Sequence, residues 1–496
     1  MDKTLFEIIS VIRPGLRLGI RFYCLLIFIF TVLIFFADSL SGALEAGLVM
    51  AFAFIIPVYS WKNKGANGLP FLFVYCAMST IWYFLPLAMG NPSLLDYSSD
   101  DLLNASIEIF LHFSFLTLGY QLLNTQRFNR SPLKMRVLRS LDSKDFGGTR
   151  MLLFSFVGIV LFEWIRTRTS LTYQIIPSSF NNVLATLTTV VGSGCVMLLA
   201  FNHSKLHRFS RYLIFWVGWL FFVAVKASGL ILAGVVGFVV ATLVGLFLGS
   251  RKIPWAFILS IALMISVLNQ GKFEMRTKYW SGTSPDLITL YTDWFQTSFT
   301  LITTESSSDG RDSGQSLLSE RLSNLQMLLY VQKKVNEDEI PILMGETYLY
   351  GPFLMVPRFL WPEKPIAHMS QIRLNLHFQR QYFTVLSERS AYIAWGILPE
   401  AYGNFGPYLG AIISGLLLGM LFRYLSFFAA QYPLNSIRAM VALILLAMSF
   451  SWPAMESSVI LTSSFQVVAL IVVAGLVLGR RENGFHGDEI SSVRYR

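Results

Sequence analysis

Glu108 and His112 stand four residues apart inside an apolar run, a spacing that puts both side chains on one face of a helix. A carboxylate and an imidazole so placed could act as acid and base on a bound group. They could equally form an internal pair that fixes helix packing. Glu163 lies near the end of another apolar run, with Arg166 and Arg168 just after it. Lys226 sits in a short polar gap between two runs, and Glu456 lies just beyond a further one. Ionisable groups inside such runs are costly and point to function, whereas charges at the ends of runs either line a site or reach water along their stems.

The densest polar chemistry lies in one long stretch, residues 269–406. It opens with Lys272, Glu274, Arg276 and Lys278, then Trp280, and later carries Glu320-Arg321 and Gly345-Glu346-Thr347-Tyr348. The run Pro357-Arg358-Phe359-Leu360-Trp361-Pro362-Glu363-Lys364-Pro365 follows. Prolines fix the backbone around its two cations, and tryptophan favours a membrane interface. Arg358 and Lys364 held in this way suit a lipid-linked phosphate or pyrophosphate, which arginine grips with two parallel hydrogen bonds. The other reading is a rigid surface turn with solvated charges. The chain has no GxxxxGK[ST] loop, no HExxH, no CxxC, no GxGxxG following a strand, and no D-x-D in the stretch. The six histidines are scattered, and Cys24, Cys76 and Cys195 all lie in apolar runs. No dedicated metal site, cofactor or disulfide framework is expected, so chemistry would rest on side-chain charge.

The elements that must position these residues follow from composition. Of 496 residues, 54% are apolar and only 14% charged, with a mean hydropathy of +0.56; a soluble domain carries about 25% charge. This excludes a soluble enzyme, a disordered chain and a nucleic-acid-binding domain. It predicts an all-α polytopic membrane protein. Runs near the roughly 20 residues that cross a bilayer occur at 22–37, 46–60, 69–89, 102–123, 151–165, 183–201, 213–226, 230–250, 253–268, 407–425, 437–452 and 460–478, twelve in all. The first is followed by Asp38-Ser39-Leu40 and further runs, so it is read as an anchor and not a cleaved leader.

The net charge of +10 is an orientation signal. With a cytoplasmic N-terminus, most of the lysines and arginines fall in inside segments, above all 124–150 with Arg127, Arg130, Lys134, Arg136, Arg139, Lys144 and Arg150. The short outside loops hold only Arg166, Arg168 and Lys226. Both termini are then inside. The chain divides into spans one to nine (1–268), one large external loop (269–406), spans ten to twelve (407–478) and a polar tail (479–496). The same basic segments would touch anionic membrane lipids. Within the loop, Ser284-Pro285-Asp286 reads as a helix start, with proline at the first helical position. Leu287, Leu290, Tyr291, Trp294, Phe295, Phe299 and Ile302 then recur at helical spacing. A loop rich in Ser, Asp and Gly spans 305–314, and a second amphipathic helix carries Leu322, Leu325, Leu328, Leu329 and Val335, stopped by Pro341. The two helices either lie along the membrane surface or pack on each other and on the spans.

The run from Pro357 to Pro365 resembles the "PR-x-x-WP-x-KP" signature of the Wzy-type oligosaccharide repeat-unit polymerases, which include O-antigen and exopolysaccharide polymerases of bacterial inner membranes. Further pieces resemble that family in the right order. They are Lys272, Glu274 and Arg276 ("K-x-E-x-R"), Arg321, Gly345-Glu346-Thr347-Tyr348 ("GETY"), and Pro399-Glu400-Ala401-Tyr402-Gly403-Asn404-Phe405-Gly406 ("EAY-x-NFG"). The likeness covers roughly 270–410. One departure is Lys226-Ala227-Ser228-Gly229, where a "GSR"-like turn with arginine would be expected. The resemblance implies a metal-independent membrane glycosyltransferase of the helical GT-C class. Its work would be periplasmic chemistry on undecaprenyl-pyrophosphate-linked oligosaccharides, with a chain-length regulator as a possible partner. On that basis Arg276, Arg321, Arg358 and Lys364, with Arg166 and Lys226, are the expected ligands of the leaving pyrophosphate. Glu400 and Glu346 are the expected bases, with Glu108 and His112 behind them.

Three alternatives remain at this level. An O-antigen ligase would use the same donor with a lipid A-core acceptor. A repeat-unit flippase would have two related halves, and no internal repeat is visible. A scaffold for polysaccharide export would have no use for Arg358 and Lys364.

Overall fold

The computed structural model describes residues 5–37, 42–63, 68–123, 144–145, 149–168, 178–203, 209–230, 232–250, 254–279, 285–305, 323–356, 360–361, 363–365, 368–380, 394–429, 432, 436–478 and 480–481. They are helical apart from turns, connecting segments and a two-residue antiparallel pairing of Lys144–Asp145 with Arg480–Arg481. That pairing joins the two basic segments 124–150 and 479–496.

The helices in chain order are α1 (Leu5–Ala37), α2 (Ala43–Asn63), α3 (Phe71–Ala88), α4 (Ser99–Leu122), α5 (Thr149–Arg168), α6 (Ser178–Phe201), α7 (Phe209–Ala227), α8 (Ala233–Ser250) and α9 (Trp255–Tyr279). They continue as α10 (Leu287–Glu305), α11 (Asn324–Asn336), α12 (Glu346–Met355), α13 (Met369–His377), α14 (Ile397–Phe405), α15 (Leu409–Phe428), α16 (Ile437–Met448) and α17 (Ser457–Leu478). Eight of them, α1–α4, α6, α7, α9 and α15, are long and apolar enough to cross a membrane, the architecture of a multi-pass membrane protein. Each of the twelve apolar runs has most of its described residues in a helix. The remaining four are α5, α8, α16 and α17; α8 and α16 are shorter, at 18 and 12 residues.

Boundaries move where an apolar run is only part of a longer helix. The run 253–268 continues without a break to Tyr279, so Lys272, Glu274 and Arg276 belong to α9 itself. Asp286 is the cap of α10. Its carboxylate accepts from the Thr289 amide at 3.1 Å and the Thr289 hydroxyl at 2.7 Å, which leaves Pro285 one position outside the helix, not at its first residue.

Two glycine seams bring helices into backbone contact. Gly415 and Gly419 on α15 have the GxxxG spacing of closely packed membrane helices. A Cβ at Gly415 would lie 2.2 Å from the His112 carbonyl oxygen, and one at Gly419 2.1 Å from that of Leu116. From α4, Gly119 faces the Leu416 carbonyl in the same way. Gly245 and Gly249 repeat the arrangement on α8 against the Met197 and Phe201 carbonyls of α6. By contrast α1 and α9 expose Phe22, Phe28, Leu259 and Leu263, as lipid-facing helices do.

Of the two amphipathic helices, α11 is packed into the bundle. Leu325, Leu328, Leu329 and Val331 are buried, and the helix lies against α14 and α4. Helix α10 lies on α9. Trp294 is fully buried and its indole donates to the Leu268 carbonyl at 2.7 Å, while Ile288 and Phe299 on the opposite side are exposed. The loop expected at 305–314 and the tail after 481 fall almost wholly outside the described residues.

Candidate functional site

Helices α12, α13, α14 and the start of α17 converge on a buried polar cluster. Its centre is Glu400 on α14, which has no exposed surface. One carboxylate oxygen accepts from the Thr347 hydroxyl at 2.8 Å and the Ser457 hydroxyl at 2.9 Å; the other accepts from the Ser457 amide at 2.6 Å. Ser457 is the first residue of α17, so Glu400 places its negative charge on that helix's N-terminus, where unpaired amides and the helix dipole favour an anion. Asn404, one turn along α14, donates to the Thr347 hydroxyl at 2.8 Å and to the Glu400 carbonyl at 2.8 Å. Ser370 on α13 donates to the Thr347 carbonyl at 3.0 Å. Burial pushes the Glu400 carboxyl above its usual range against these donors.

A second buried carboxylate stands beside it. Glu456 accepts from the Trp395 amide at 2.6 Å and from Gln371 Nε2 at 2.6 Å. Burial, with the nearby charge of Glu400, raises its pKa to about 8. The Trp395 indole in turn donates to Asn375 at 2.7 Å. The Tyr348 ring packs at a tilt against Phe405 at 5.3 Å, and its buried hydroxyl is kept protonated by burial and the adjacent Glu400 charge.

Glu346 opens α12 and is partly exposed. Gly345 precedes it with φ at +88°, a conformation that glycine adopts without strain. The Glu346 carboxylate takes a two-pronged pair from Arg373 on α13, Nε at 2.8 Å and Nη2 at 3.0 Å, with the Tyr350 hydroxyl at 3.2 Å. The Arg373 hydrogen bond holds the Glu346 carboxyl below its usual range, and the carboxylate raises Arg373 in return. One turn of backbone thus carries an accessible charged pair at Glu346 and the enclosed network at Thr347.

The remaining expected residues are distributed as follows. Lys364 donates to the carbonyls of Leu354 at 2.9 Å and Val356 at 2.6 Å, so it closes the C-terminus of α12, where cations are favoured. Arg358 and Arg321 lie outside the described residues. Glu108 is buried and accepts from the Tyr408 amide at 2.7 Å, at the N-terminus of α15. His112 lies 2.9 Å from the Ser414 hydroxyl through Nδ1 and 3.1 Å from the Tyr75 hydroxyl through Nε2. Glu108 and His112 share a face of α4, as the spacing predicts, yet each is engaged with a different partner and both contact the α15 segment.

A third cluster joins α5, α6 and α7. The fully buried Glu163 accepts from Arg166 through both of its oxygens, at 3.0 and 2.6 Å, and from Thr188 at 2.8 Å. Lys226 pairs with it at 2.7 Å and donates to Thr189 at 2.8 Å. Two cations thus meet on one carboxylate. At the adjacent turn, Arg276 of α9 donates Nε and Nη2 to the Leu230 carbonyl at 3.0 and 2.8 Å. The turn that follows Lys226 is therefore met by a guanidinium from another helix.

Of the expected acid–base residues, the fold brings Glu346 and Glu400 together through Thr347, while Glu108 and His112 on α4 bond to Tyr408, Ser414 and Tyr75. Arg166 and Lys226 meet around Glu163. Arg373, Gln371, Trp395 and Ser457 are members of the main cluster that no motif marked. Thr347 and Asn404 stood inside quoted motifs without an assigned role. Comparison with known proteins returns no matching family model, no matching characterised protein and no matching solved structure.

Proposed function

We propose that this chain is a membrane-embedded glycosyltransferase. In this reading it polymerises undecaprenyl-pyrophosphate-linked oligosaccharide repeat units on the periplasmic side of the bacterial inner membrane, for O-antigen or exopolysaccharide synthesis. The reading includes about twelve spans of GT-C type, both termini inside and the segment 269–406 outside. A chain-length regulator is a partner consistent with it.

The observation that carries the reading is the meeting of Glu346 and Thr347 with Glu400 and Asn404. The "GETY"-like and "EAY-x-NFG"-like segments lie some fifty residues apart, and their side chains close one hydrogen-bonded network. In the reaction, a sugar hydroxyl of the incoming repeat unit attacks the anomeric carbon of the growing chain. A new glycosidic C–O bond forms, the bond to the pyrophosphate breaks, and the hydroxyl proton passes to a base. Glu346 has the accessible carboxylate for that proton. Arg373 beside it, with Arg358 from the neighbouring run, offers charge to the leaving pyrophosphate. Glu400 has three donors on it and no exposed surface, so its part is positioning: it fixes Thr347, and with it the start of α12.

The test is the surface-polysaccharide ladder of the native host in strains lacking the protein or carrying wild type or Arg358→Ala at matched amounts. A polymerase predicts products stopped at one repeat unit in the null strain and no rescue by Arg358→Ala. Long chains retained on the lipid carrier would identify a ligase. An unchanged ladder would remove the protein from that polymer's synthesis.

A further inference from the structure

Helix α12 is built inside out. Its inner face carries polar groups: Thr347 is buried against Glu400 and Asn404. Its outer face is apolar. Leu349 and Phe353, one turn apart, are 62% and 44% exposed. Each stands about 160° around the helix axis from Gly351. Gly351 is buried against α17, where a Cβ would lie 2.9 Å from the Leu461 side chain. The patch continues past the helix end. Trp361 meets the Phe353 ring edge to face at 5.8 Å, and Leu360 is exposed beside it. A helix that faces water turns its apolar side inward. The reverse arrangement marks a contact with protein or with membrane.

The neighbouring helix decides between the two. Helix α12 lies along the start of α17: Thr347 and Ser457 share the Glu400 carboxylate, and Gly351 packs on Leu461. Helix α17 is apolar over 22 residues. Leu461 and Phe465, one turn apart on it, are exposed in the manner of Leu259 and Leu263 on α9. The outer patch of α12 therefore stands one helix width from a lipid-facing strip, at the level where α17 begins.

We propose that α12 is an interfacial membrane anchor, its outer face seated among the acyl chains of bilayer lipid beside α17. Such a face sits about 5–10 Å into the boundary between head groups and acyl chains. Charged groups bracket the patch, as this depth requires. Glu346 pairs with Arg373 at one end of α12, and Lys364 closes the other. The Lys364 bonds to the Leu354 and Val356 carbonyls satisfy backbone groups that have no water to turn to in hydrocarbon. Trp361 stands at the head-group level, where tryptophan concentrates. The proposal does not depend on the glycosyltransferase reading. Under that reading, it brings Glu346 and Arg373 to the depth of a lipid-linked pyrophosphate.

The test uses the full chain in vesicles of phosphatidylethanolamine and phosphatidylglycerol, with no polyprenyl lipid present. Nitroxide labels are placed singly through Leu349→Cys and Phe353→Cys in a Cys24→Ala background, where the two remaining cysteines are buried. Leu360→Cys repeats the measurement without disturbing the Phe353–Trp361 contact. Leu263→Cys on α9 marks lipid, and Glu337→Cys at the end of α11 marks water; both native side chains are exposed. Relaxation of each label by oxygen, which concentrates among acyl chains, is compared with relaxation by a nickel chelate that stays in water. Oxygen outweighs nickel at Leu349 and Phe353, as at Leu263 and in the reverse of Glu337. A nickel-dominated label at either position would put the face in water and overturn the proposal. Exclusion of both reagents would also overturn it, because a second copy of the chain or a protein partner would then cover the face.

Discussion

The hydroxyl of Thr347 reaches the carboxylate of Glu400 at 2.8 Å, while the adjacent residue Glu346 faces outward to Arg373. The start of α12 thus separates an enclosed carboxylate from an accessible one. If Glu400 acts by holding α12 and α17, its loss is felt in stability. Glu400→Gln keeps the shape but turns an amide against one of three donors, at about 1–3 kcal/mol. Glu400→Ala strands all three and costs more. Thermal unfolding in detergent measures both, and a wild-type midpoint for the alanine variant would end the positioning role.

The Glu346–Arg373 pair makes the opposite prediction. Both side chains are more than a third exposed, so breaking the pair costs under about 1 kcal/mol. Under the proposed reaction, Glu346→Gln and Arg373→Ala nevertheless stop chain growth at unchanged protein amount. Ladders of wild-type length from both variants would move the chemistry elsewhere.

Glu456 gives the protein a pH signature. Its carboxyl titrates at about 8 in the fold against 4.5 for the free group, so the folded chain holds a proton that the unfolded chain releases. Stability contributed by that proton is complete below pH 4.5 and falls as pH rises towards 8, by on the order of 1 kcal/mol per unit. Glu456→Gln removes this slope. Its oxygen still accepts from the Trp395 amide, and Gln371 can turn its own oxygen to the new amide. Unfolding midpoints of the two proteins should diverge in the variant's favour above pH 7, and parallel curves would show that Glu456 is not the group responsible.

Glycine substitutions separate the seam from open helix surface. Gly415→Ala drives a methyl to 2.2 Å from the His112 carbonyl, and forcing α4 and α15 apart costs about 1–3 kcal/mol. Gly158→Ala on α5 meets nothing within 4 Å and should be neutral or stabilising by about 0.5–1 kcal/mol. Comparable losses from both would mean that the α4–α15 seam is not a closed contact.

The Glu163 cluster predicts an asymmetry. Glu163→Ala removes the carboxylate that Arg166 and Lys226 share, each about one-eighth exposed, and should cost about 3–5 kcal/mol. Lys226→Met leaves Arg166 on Glu163 and should cost clearly less. The reverse order of unfolding midpoints would contradict the pairing.

Helix content and apolar spans were readable because apolar runs of span length have one solution in a bilayer. The meaning of the carboxylates was not. Glu108 and Glu400 sit in apolar or motif-like surroundings, and sequence spacing does not distinguish a base from a group that receives a helix N-terminus. That distinction rests on Tyr408 and Ser457, which lie 300 and 57 residues away. The prolines around Lys364 predict a cation at a fixed surface position. It is fixed, but onto the carbonyls that end α12. Arg373 carried no signal, since a lone arginine in a short helix looks like any solvated charge. Arg166 and Lys226 stand far apart in the sequence, and only the fold joins them through Glu163.

The α4–α15 seam also sets a timetable for biogenesis. Glu108 and His112 find Tyr408 and Ser414 only after about 300 further residues have been made. At roughly 5–20 residues per second this takes about 15–60 s. Through that interval Glu108 lacks the Tyr408 amide, and His112 has Tyr75 but not Ser414. The contacts that close α4 onto α15 therefore form only after the segment that carries Tyr408 and Ser414 has been made. Slowed translation after residue 122 should lengthen that interval and raise the fraction of chains degraded before they close.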